Sequence, residues 1–131
     1  MLAGGKFEHL AIANPKIAPY GAAAKQTLER LKLWDSVSPK IIQGEDISQT
    51  MQFVVSGNAE LGFIARSQAI DISSKTKGSI WLVPQDYYEP LKQEAVILSK
   101  GKDNPAATDF MEFLKGKEAR EVISRNGYSL P

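Results

Sequence analysis

The stretch LAIANPKIAPYGAAAKQTLERL, residues 10–31, decides the fold. Its first four residues form an apolar run that predicts a buried β-strand, and its alanine-rich end predicts an amphipathic helix from about Tyr20 to Lys32. Two prolines and one glycine lie in the turn between the two. This order is the beginning of an α/β unit, in which ligands bind beyond the carboxyl ends of the strands.

The same alternation continues along the chain. Short apolar runs predict further strands at residues 40–42, 61–65, 80–83 and 94–98, and helical spacing predicts helices at 46–56, 105–115 and 118–126. The expected fold is therefore α/β, with a mostly parallel, mixed sheet of about five strands. The last strand follows a loop and could run antiparallel. We expect an α/β ligand-binding lobe over residues 1–102 and a helical segment over 103–131.

Composition excludes several classes of protein. The 131 residues carry 16 Lys and Arg against 15 Asp and Glu, so the chain lacks the concentrated positive charge of a nucleic-acid surface or a polybasic membrane patch. Cysteine is absent, which excludes disulfides and thiol chemistry. The first five residues lack the apolar core and cleavage pattern of a secretory signal, so we expect no signal peptide here.

Catalytic motifs are missing from the sequence. His9 is the only histidine, precedes a strand and is interpreted as a strand-edge residue. No HExxH, GxSxG, Walker A or GxGxxG pattern occurs. The pair Glu45-Asp46 is best explained as a helix cap, and Asp46 with Gln49 three residues later fits a capping box. We therefore expect a protein that is not an enzyme and needs neither a cofactor nor a metal ion.

Two strand-to-helix junctions, at residues 14–21 and 43–48, remain as candidate sites. The first N–H groups of a helix have no intrahelical acceptor, and the helix dipole adds partial positive charge, so such a junction can bind an anion without a basic side chain. Pro15 and Pro19 would hold the donors in place, Gly21 would let an anion approach the backbone, and the N–H of Tyr20 is the favoured donor. The alternative is a proline-rich turn that only begins a helix.

The ordered motifs resemble a known family. The stretches LAIANPKIAPYGAAAKQTLERL, KIIQGEDISQTMQFVVSGNAELGFIARSQA and DFMEFLKGKEAREVISRNGYSLP are similar to the second lobe and C-terminal end of the periplasmic molybdate-binding proteins. These are the substrate receptors of molybdate ABC importers and have the type II periplasmic binding protein fold. The resemblance implies a three-layer αβα lobe, a periplasmic parent protein and a membrane permease as its partner.

The resemblance also implies a site. A tetrahedral oxyanion, molybdate or tungstate, would accept hydrogen bonds from the backbone N–H groups of Tyr20 and Ile47. The turn residues that would support these donors are Asn14, Pro15, Pro19, Gly21 and Asp46. Some members add a tyrosine hydroxyl after the third strand, where this sequence has Ala65, so we expect that contact to be absent.

The chain departs from the family in lacking the hydroxyl-bearing loops of the first lobe. It resembles one lobe plus the segment 103–131 that in the family packs on the first lobe. Because its apolar faces would otherwise remain in water, we expect this segment to fold onto its own lobe or to form a homodimer. Two alternative functions are the effector-sensing lobe of a regulatory protein and a receptor for another oxyanion such as sulfate.

Overall fold

The computed structural model describes residues 2–73 and 77–130. The expected regions 1–102 and 103–131 begin and end at Met1 and Pro131, which lie outside the described residues. The chain divides into two compact units, Met1–Leu91 and Lys92–Pro131. The described strands are β1 (Leu10–Ala13), β2 (Ile41–Gly44) and β3 (Leu61–Gly62). The helices are α1 (Pro19–Arg30), α2 (Trp34–Val37), α3 (Ile47–Val55), α4 (Arg66–Ile72), α5 (Pro105–Lys115) and α6 (Lys117–Arg125).

The sheet of the first unit is parallel and has the order β2-β1-β3. The central strand is buried along its whole length because helices cover both of its faces. Leu10 and Ile12 pack in one cluster with Leu28 of α1. On the opposite face of the sheet, Val54 of α3 packs against Gly62, where an added Cβ would overlap the valine side chain. The first unit therefore has the expected helix–sheet–helix layering.

The number of strands differs from the expectation of five. Among the described residues the sheet contains three strands, and residues 80–83 and 94–98 lie outside it. Their apolar side chains are mostly exposed, and no neighbouring strand is present in the described ranges to pair with them. An apolar run forms a ladder only when another strand satisfies its backbone groups, and the sequence pattern does not report whether that strand exists.

Helix positions agree closely with the sequence pattern. Helix α5 has the predicted bounds, α1 begins one residue early at Pro19, and α6 is displaced by one residue. The short helices α2 and α4 are additional, and the prediction missed them. None of the helices in the described parts of the chain is long and apolar enough to cross a bilayer.

The second unit contains two consecutive helices, α5 and α6, separated by Gly116. Asn104 caps α5 by accepting a hydrogen bond from the N–H of Ala106 at 3.0 Å. Phe110 and Phe113 stack with ring centroids 6.4 Å apart, and both rings remain about half exposed. Val122 of α6 is also exposed. The amphipathic pattern of these helices thus leaves apolar surface in contact with solvent.

Candidate functional site

The two predicted junctions lie at the same edge of the sheet. Ala13 and Gly44, the last residues of β1 and β2, are register partners in adjacent parallel strands. The N–H of Asn14 then donates to the carbonyl oxygen of Gly44 at 2.8 Å, which joins the two junctions directly. Because the strands are parallel and α1 and α3 each follow one of them, both helices begin at this carboxyl edge.

Asn14 organises the first junction. Its carbonyl oxygen accepts from the N–H of Ile17 at 3.2 Å and of Ala18 at 2.9 Å. Its side-chain Oδ1 accepts from the N–H of Lys16 at 3.0 Å. The amides of the turn are therefore engaged within the turn, so they are not available as ligand donors.

Helix α1 begins without a side-chain cap. Its N-cap residue is Ala18, which cannot accept a hydrogen bond through its methyl group, and its first residue is Pro19, which has no N–H. Tyr20 is the second residue of α1 and is half-buried. Its backbone N–H therefore belongs to the first turn of α1, and its role as an anion donor stays a prediction.

Gly21 has a packing role that the sequence did not indicate. It is buried, and a Cβ at this position would overlap the carbonyl oxygen of Ala13 and lie 2.7 Å from the carbonyl carbon of Asn14. The glycine therefore lets α1 cross closely over the end of β1. This contact alone explains the glycine, and its expected role in anion approach stays a prediction.

The second junction is closed by a reciprocal cap. Asp46 is the N-cap of α3, and its Oδ1 accepts from the N–H of Gln49 at 2.8 Å. The Gln49 side chain turns back and accepts from the N–H of Glu45 at 2.7 Å. The predicted pairing of Asp46 with Gln49 is confirmed, although the returning bond reaches Glu45 rather than Asp46 itself. Ile47 is the first residue of α3 and is half-buried.

Thr50 fixes the peptide that carries the Ile47 N–H. Its N–H and its Oγ1 both donate to the carbonyl oxygen of Asp46, at 3.2 and 2.8 Å. Because the Asp46 carbonyl and the Ile47 N–H belong to one peptide plane, this pair of bonds sets the direction of the N–H. Thr50 is fully buried, and a Cβ at Gly44 would lie 2.7 Å from its hydroxyl, so Gly44 leaves room for it.

Gln68 is a residue that the sequence analysis missed. Its Nε2 donates to the carbonyl oxygen of Ile47 at 3.3 Å, and its Oε1 accepts from the N–H of Ala65 at 3.1 Å. The side chain therefore connects the beginning of α4 to the beginning of α3. A glutamine three residues into a helix is a recognisable capping signal, but the contact with Ile47 depends on the tertiary fold.

A depression of about 240 Å³ lies next to the first junction. The residues that line it are Asn14, Pro15, Lys16, Lys25, Trp34 and Gln43. Lys25 is held in place, since its Nζ lies 3.6 Å from a carboxylate oxygen of Glu29 and 5.2 Å from the centroid of the Trp34 ring. Two lysine residues, Lys16 and Lys25, thus line the depression beside the junction. Tyr20 and Ile47 do not line this depression.

Among the other titratable groups in the described parts of the chain, Glu60 has a shifted pKa. His9 is exposed, and its backbone N–H donates to Oε2 of Glu60 at 2.9 Å. This hydrogen bond lowers the pKa of the Glu60 carboxyl below its ordinary value of 4.5. In residues 2–73 and 77–130, no group of three or more His, Cys, Asp or Glu side chains is placed to hold a metal ion.

Comparison with known proteins decides the family. Residues 1–129 match the family of bacterial extracellular solute-binding proteins. The chain belongs to this family. The resemblance found in the sequence motifs is thereby confirmed, and so is the expectation of a binding protein rather than an enzyme.

Named relatives of this solute-binding protein bind molybdate. It is 56% identical over 124 residues to the molybdate-binding protein ModA of Azotobacter vinelandii, covering 95% of this chain and 49% of the relative. It is 48% identical over 121 residues to ModA of Rhodobacter capsulatus, covering 92% of this chain and 47% of the relative. The chain therefore spans about half the length of the curated relatives that it matches.

A solved structure has the same fold. The periplasmic molybdate-binding protein of Azotobacter vinelandii superposes with a TM-score of 0.90 at 41% sequence identity. The match covers 99% of this chain and 57% of that protein. The α/β architecture of this chain thus matches one part of that longer protein.

Proposed function

We propose that this chain is one lobe of the substrate-binding component of an ABC importer for molybdate or tungstate, located in the periplasm. The observation that carries the proposal is its 56% identity, over 95% of its length, to a protein named for molybdate binding. The geometry of the first unit supports it, because two helices begin side by side at the carboxyl edge of the sheet. The membrane permease of the importer is the proposed protein partner.

The oxyanion would be held mainly by backbone hydrogen bonds. The N–H groups of Tyr20 and Ile47 lie in the first turns of α1 and α3, where the helix dipoles add partial positive charge. Hydrogen bonds to a charged acceptor each contribute about 1.5–3 kcal/mol. Asn14, Thr50 and Gln68 hold the backbone of the two junctions in place, so the donors are positioned before the ion arrives.

Lys16 and Lys25 assist by attraction at a distance. Both line the depression beside the first junction, and two positive charges there raise the local concentration of a dianion. They are not expected to be direct ligands, because the donors at the helix starts lie outside the residues that line this depression.

A site made of donors favours a fully deprotonated dianion. Phosphate near neutral pH carries a proton and requires an acceptor for it, whereas the proposed ligands, backbone N–H groups, are donors only. Discrimination against sulfate rests on the size of the ion. We therefore propose the preference molybdate and tungstate over sulfate, with phosphate weakest.

The helical segment 103–131 is proposed to pack on the lobe that this chain does not include. The exposed fractions of Phe110 and Phe113, 58% and 49%, are high for aromatic side chains on an amphipathic helix. Without the other lobe, these faces would join two copies of the chain. The homodimer is thus the proposed state of this chain alone.

The binding proposal is tested by calorimetry on a chimera. The residues of this chain replace the matching 49% of the Azotobacter vinelandii ModA, and the chimera is titrated with molybdate, tungstate, sulfate and phosphate. We expect molybdate and tungstate to bind more tightly than sulfate, and the isolated chain to show the same order at lower affinity. A folded chimera that binds sulfate more tightly than molybdate, or binds no oxyanion, contradicts the proposal.

A further inference from the structure

The asparagines of the chain differ in the residue that follows them. Asn14 and Asn104 precede prolines, Asn58 precedes an alanine, and Asn126 alone precedes a glycine. An asparagine is deamidated when the backbone nitrogen of the next residue attacks its side-chain amide carbon, and a proline nitrogen carries no hydrogen that it could lose for this attack. Glycine is the most permissive successor because it has no side chain to obstruct the approach. The sequence therefore favours deamidation at Asn126 over the other asparagines.

Asn126 lies at the end of α6, where the chain forms a Schellman motif. The N–H of Gly127 donates to the carbonyl oxygen of Ser124 at 2.9 Å, and the N–H of Tyr128 donates to that of Ile123 at 3.3 Å. Gly127 has φ +89°, in the left-handed region that this motif requires and that glycine adopts without strain. The glycine that favours deamidation is thus also the glycine that ends the helix.

The folded helix end keeps the reacting groups apart. Nδ2 of Asn126 donates to the carbonyl oxygen of Val122 at 2.9 Å. The Gly127 nitrogen must lose the hydrogen that it donates to Ser124 before it can attack. The backbone of Asn126 has ψ 13°, which nearly eclipses the Gly127 nitrogen with the Asn126 nitrogen rather than with its Cβ. A five-membered ring that contains Cβ and the Gly127 nitrogen cannot close in this conformation, so the attack requires the helix end to open.

We infer that Asn126–Gly127 is a deamidation site that the C-terminal cap of α6 protects and that reacts when the last turn of the helix opens. Helix ends open locally without unfolding of the whole protein. In the open state the deprotonated Gly127 nitrogen bonds to Cγ of Asn126, and Nδ2 leaves as ammonia. Water then opens the resulting succinimide at either carbonyl and gives aspartate or isoaspartate. The reaction consumes one water and releases one ammonia, so it requires no oxidant or reductant.

Deamidation would prevent the cap from forming again. A carboxylate only accepts hydrogen bonds, so the donor to the Val122 carbonyl oxygen is lost. The new negative charge also lies at the C-terminus of α6, where the helix dipole disfavours it. Isoaspartate in addition inserts a methylene group into the backbone, which displaces Gly127 relative to Ser124. The modification is therefore a one-way loosening of α6, and it does not depend on oxyanion binding.

Mass spectrometry of the full 131-residue chain tests the inference. Peptide mapping follows deamidation at Asn126 and, for comparison, at Asn58, in buffer and in concentrated guanidinium chloride. We expect Asn126 to react in both, about tenfold more slowly or less in buffer, and faster as the pH rises because the Gly127 nitrogen must be deprotonated. The formal net charge of the chain falls from +1 to 0 on deamidation, so isoelectric focusing of the folded chain gives a second measurement.

Three variants separate the opening of α6 from the chemistry. Glu121→Gly weakens α6 at an exposed residue that pairs with Lys117 at 3.9 Å. It should raise the rate in buffer about two- to fivefold and leave the rate in denaturant unchanged. Glu29→Gly is the matched control in α1, where the glutamate pairs with Lys25 at 3.6 Å, and it should change neither rate. Asn126→Gln keeps an amide but lengthens the side chain, so it should abolish the modification at this position.

Three outcomes overturn the inference. Equal rates at Asn126 in buffer and in denaturant would show that the cap of α6 does not protect it. A folded chain that stays unmodified while the denatured chain reacts completely would show that the helix end does not open. An equal rise in rate in Glu121→Gly and Glu29→Gly would assign the reaction to global unfolding. No oxyanion is present in these experiments, so their result is distinguishable from failure of the binding proposal.

Discussion

The backbone N–H of Asn14 donates to the carbonyl oxygen of Gly44 at 2.8 Å, which extends the β1–β2 ladder beyond the last register pair, Ala13 and Gly44. This bond joins the turn that leads into α1 to the strand that leads into α3. The positions of the two helix starts are therefore coupled, because a shift of either junction lengthens the same hydrogen bond. Tyr20 and Ile47, the two proposed donor residues, are 27 positions apart in the sequence, and both lie in helices that begin at one edge of the sheet.

Gly21→Ala is expected to destabilise the protein. The new Cβ would overlap the Ala13 carbonyl oxygen, which is backbone and cannot rotate away. Overpacking of this kind costs about 1–3 kcal/mol of the free energy of unfolding, which urea denaturation followed by circular dichroism measures. Gly78→Ala is the matched control, since a Cβ at Gly78 meets nothing within 4 Å. Equal stability of the two variants would contradict the packing role of Gly21.

Asp46→Ala is expected to lower the free energy of unfolding by about 1 kcal/mol. It removes the Oδ1 that accepts from the N–H of Gln49 at the beginning of α3. Asp46→Asn keeps an acceptor at the same place and should restore most of the stability. Urea denaturation of both variants measures the difference. If the asparagine variant is as unstable as the alanine variant, the contribution of Asp46 comes from its charge rather than from the cap.

The sequence predicted those features that depend on local chemistry. The apolar run of β1, the bounds of α5 and the cap that joins Asp46 to Gln49 all follow from residues close together in the chain. The absence of residues 80–83 from the sheet does not follow from local sequence, because a strand pairs only with a neighbouring strand, and the described residues provide none there. The contact of Gln68 with Ile47 spans 21 residues and also depends on tertiary folding.

The candidate site was predictable to the same extent. Both helix starts could be located from prolines, glycines and a capping pair. Their meeting at one edge of the sheet required only that β1 and β2 be parallel neighbours. The packing of Gly21 against Ala13 and the position of Lys25 over Trp34 could not be predicted, since both depend on how closely α1 approaches the residues around it.

Glu60 is expected to make stability depend weakly on pH. The hydrogen bond from the His9 N–H lowers the pKa of the Glu60 carboxyl in the folded protein. The carboxylate therefore stabilises the folded protein at pH values above its ordinary pKa of 4.5, and this stabilisation is lost as the pH falls through the lowered pKa. Glu60→Gln should therefore reduce the melting temperature slightly at pH 7, and the difference from the parent should disappear at strongly acidic pH. Thermal melts at a series of pH values measure this. A difference in melting temperature that persists unchanged in acid would contradict the role of the Glu60 carboxylate. Glu94→Gln, in the second unit, serves as the control.

The chain alone is expected to self-associate through α5 and α6. Burial of apolar surface such as the ring of Phe110, now 58% exposed, favours association by about 25 cal/mol per Å². Sedimentation equilibrium should give a dimer, and Phe110→Lys should shift it towards monomer. Ile70→Lys changes an exposed apolar residue in the first unit, 42% accessible, and should leave the dimer intact. A parent chain that sediments as a monomer at all accessible concentrations would contradict the proposal.

Ile47→Pro is expected to weaken molybdate binding while leaving α3 in place. Proline is well tolerated as the first residue of a helix, where its missing N–H breaks no intrahelical bond. The preceding residue, Asp46, has φ −136° and ψ 178°, an extended conformation that a following proline allows. The substitution therefore removes one proposed donor to the oxyanion with little change in the backbone.

The expected loss of affinity follows from the strength of a single hydrogen bond to a charged acceptor. A contribution of about 1.5–3 kcal/mol corresponds to binding that is roughly ten- to hundredfold weaker. Calorimetry on the chimera described above measures it. Ile47→Val retains the N–H and is the control, since it alters only the side chain and should bind molybdate as the parent does. An equal loss in both variants would assign the effect to packing of the side chain, and unchanged affinity in the proline variant would remove the Ile47 N–H from the proposed site.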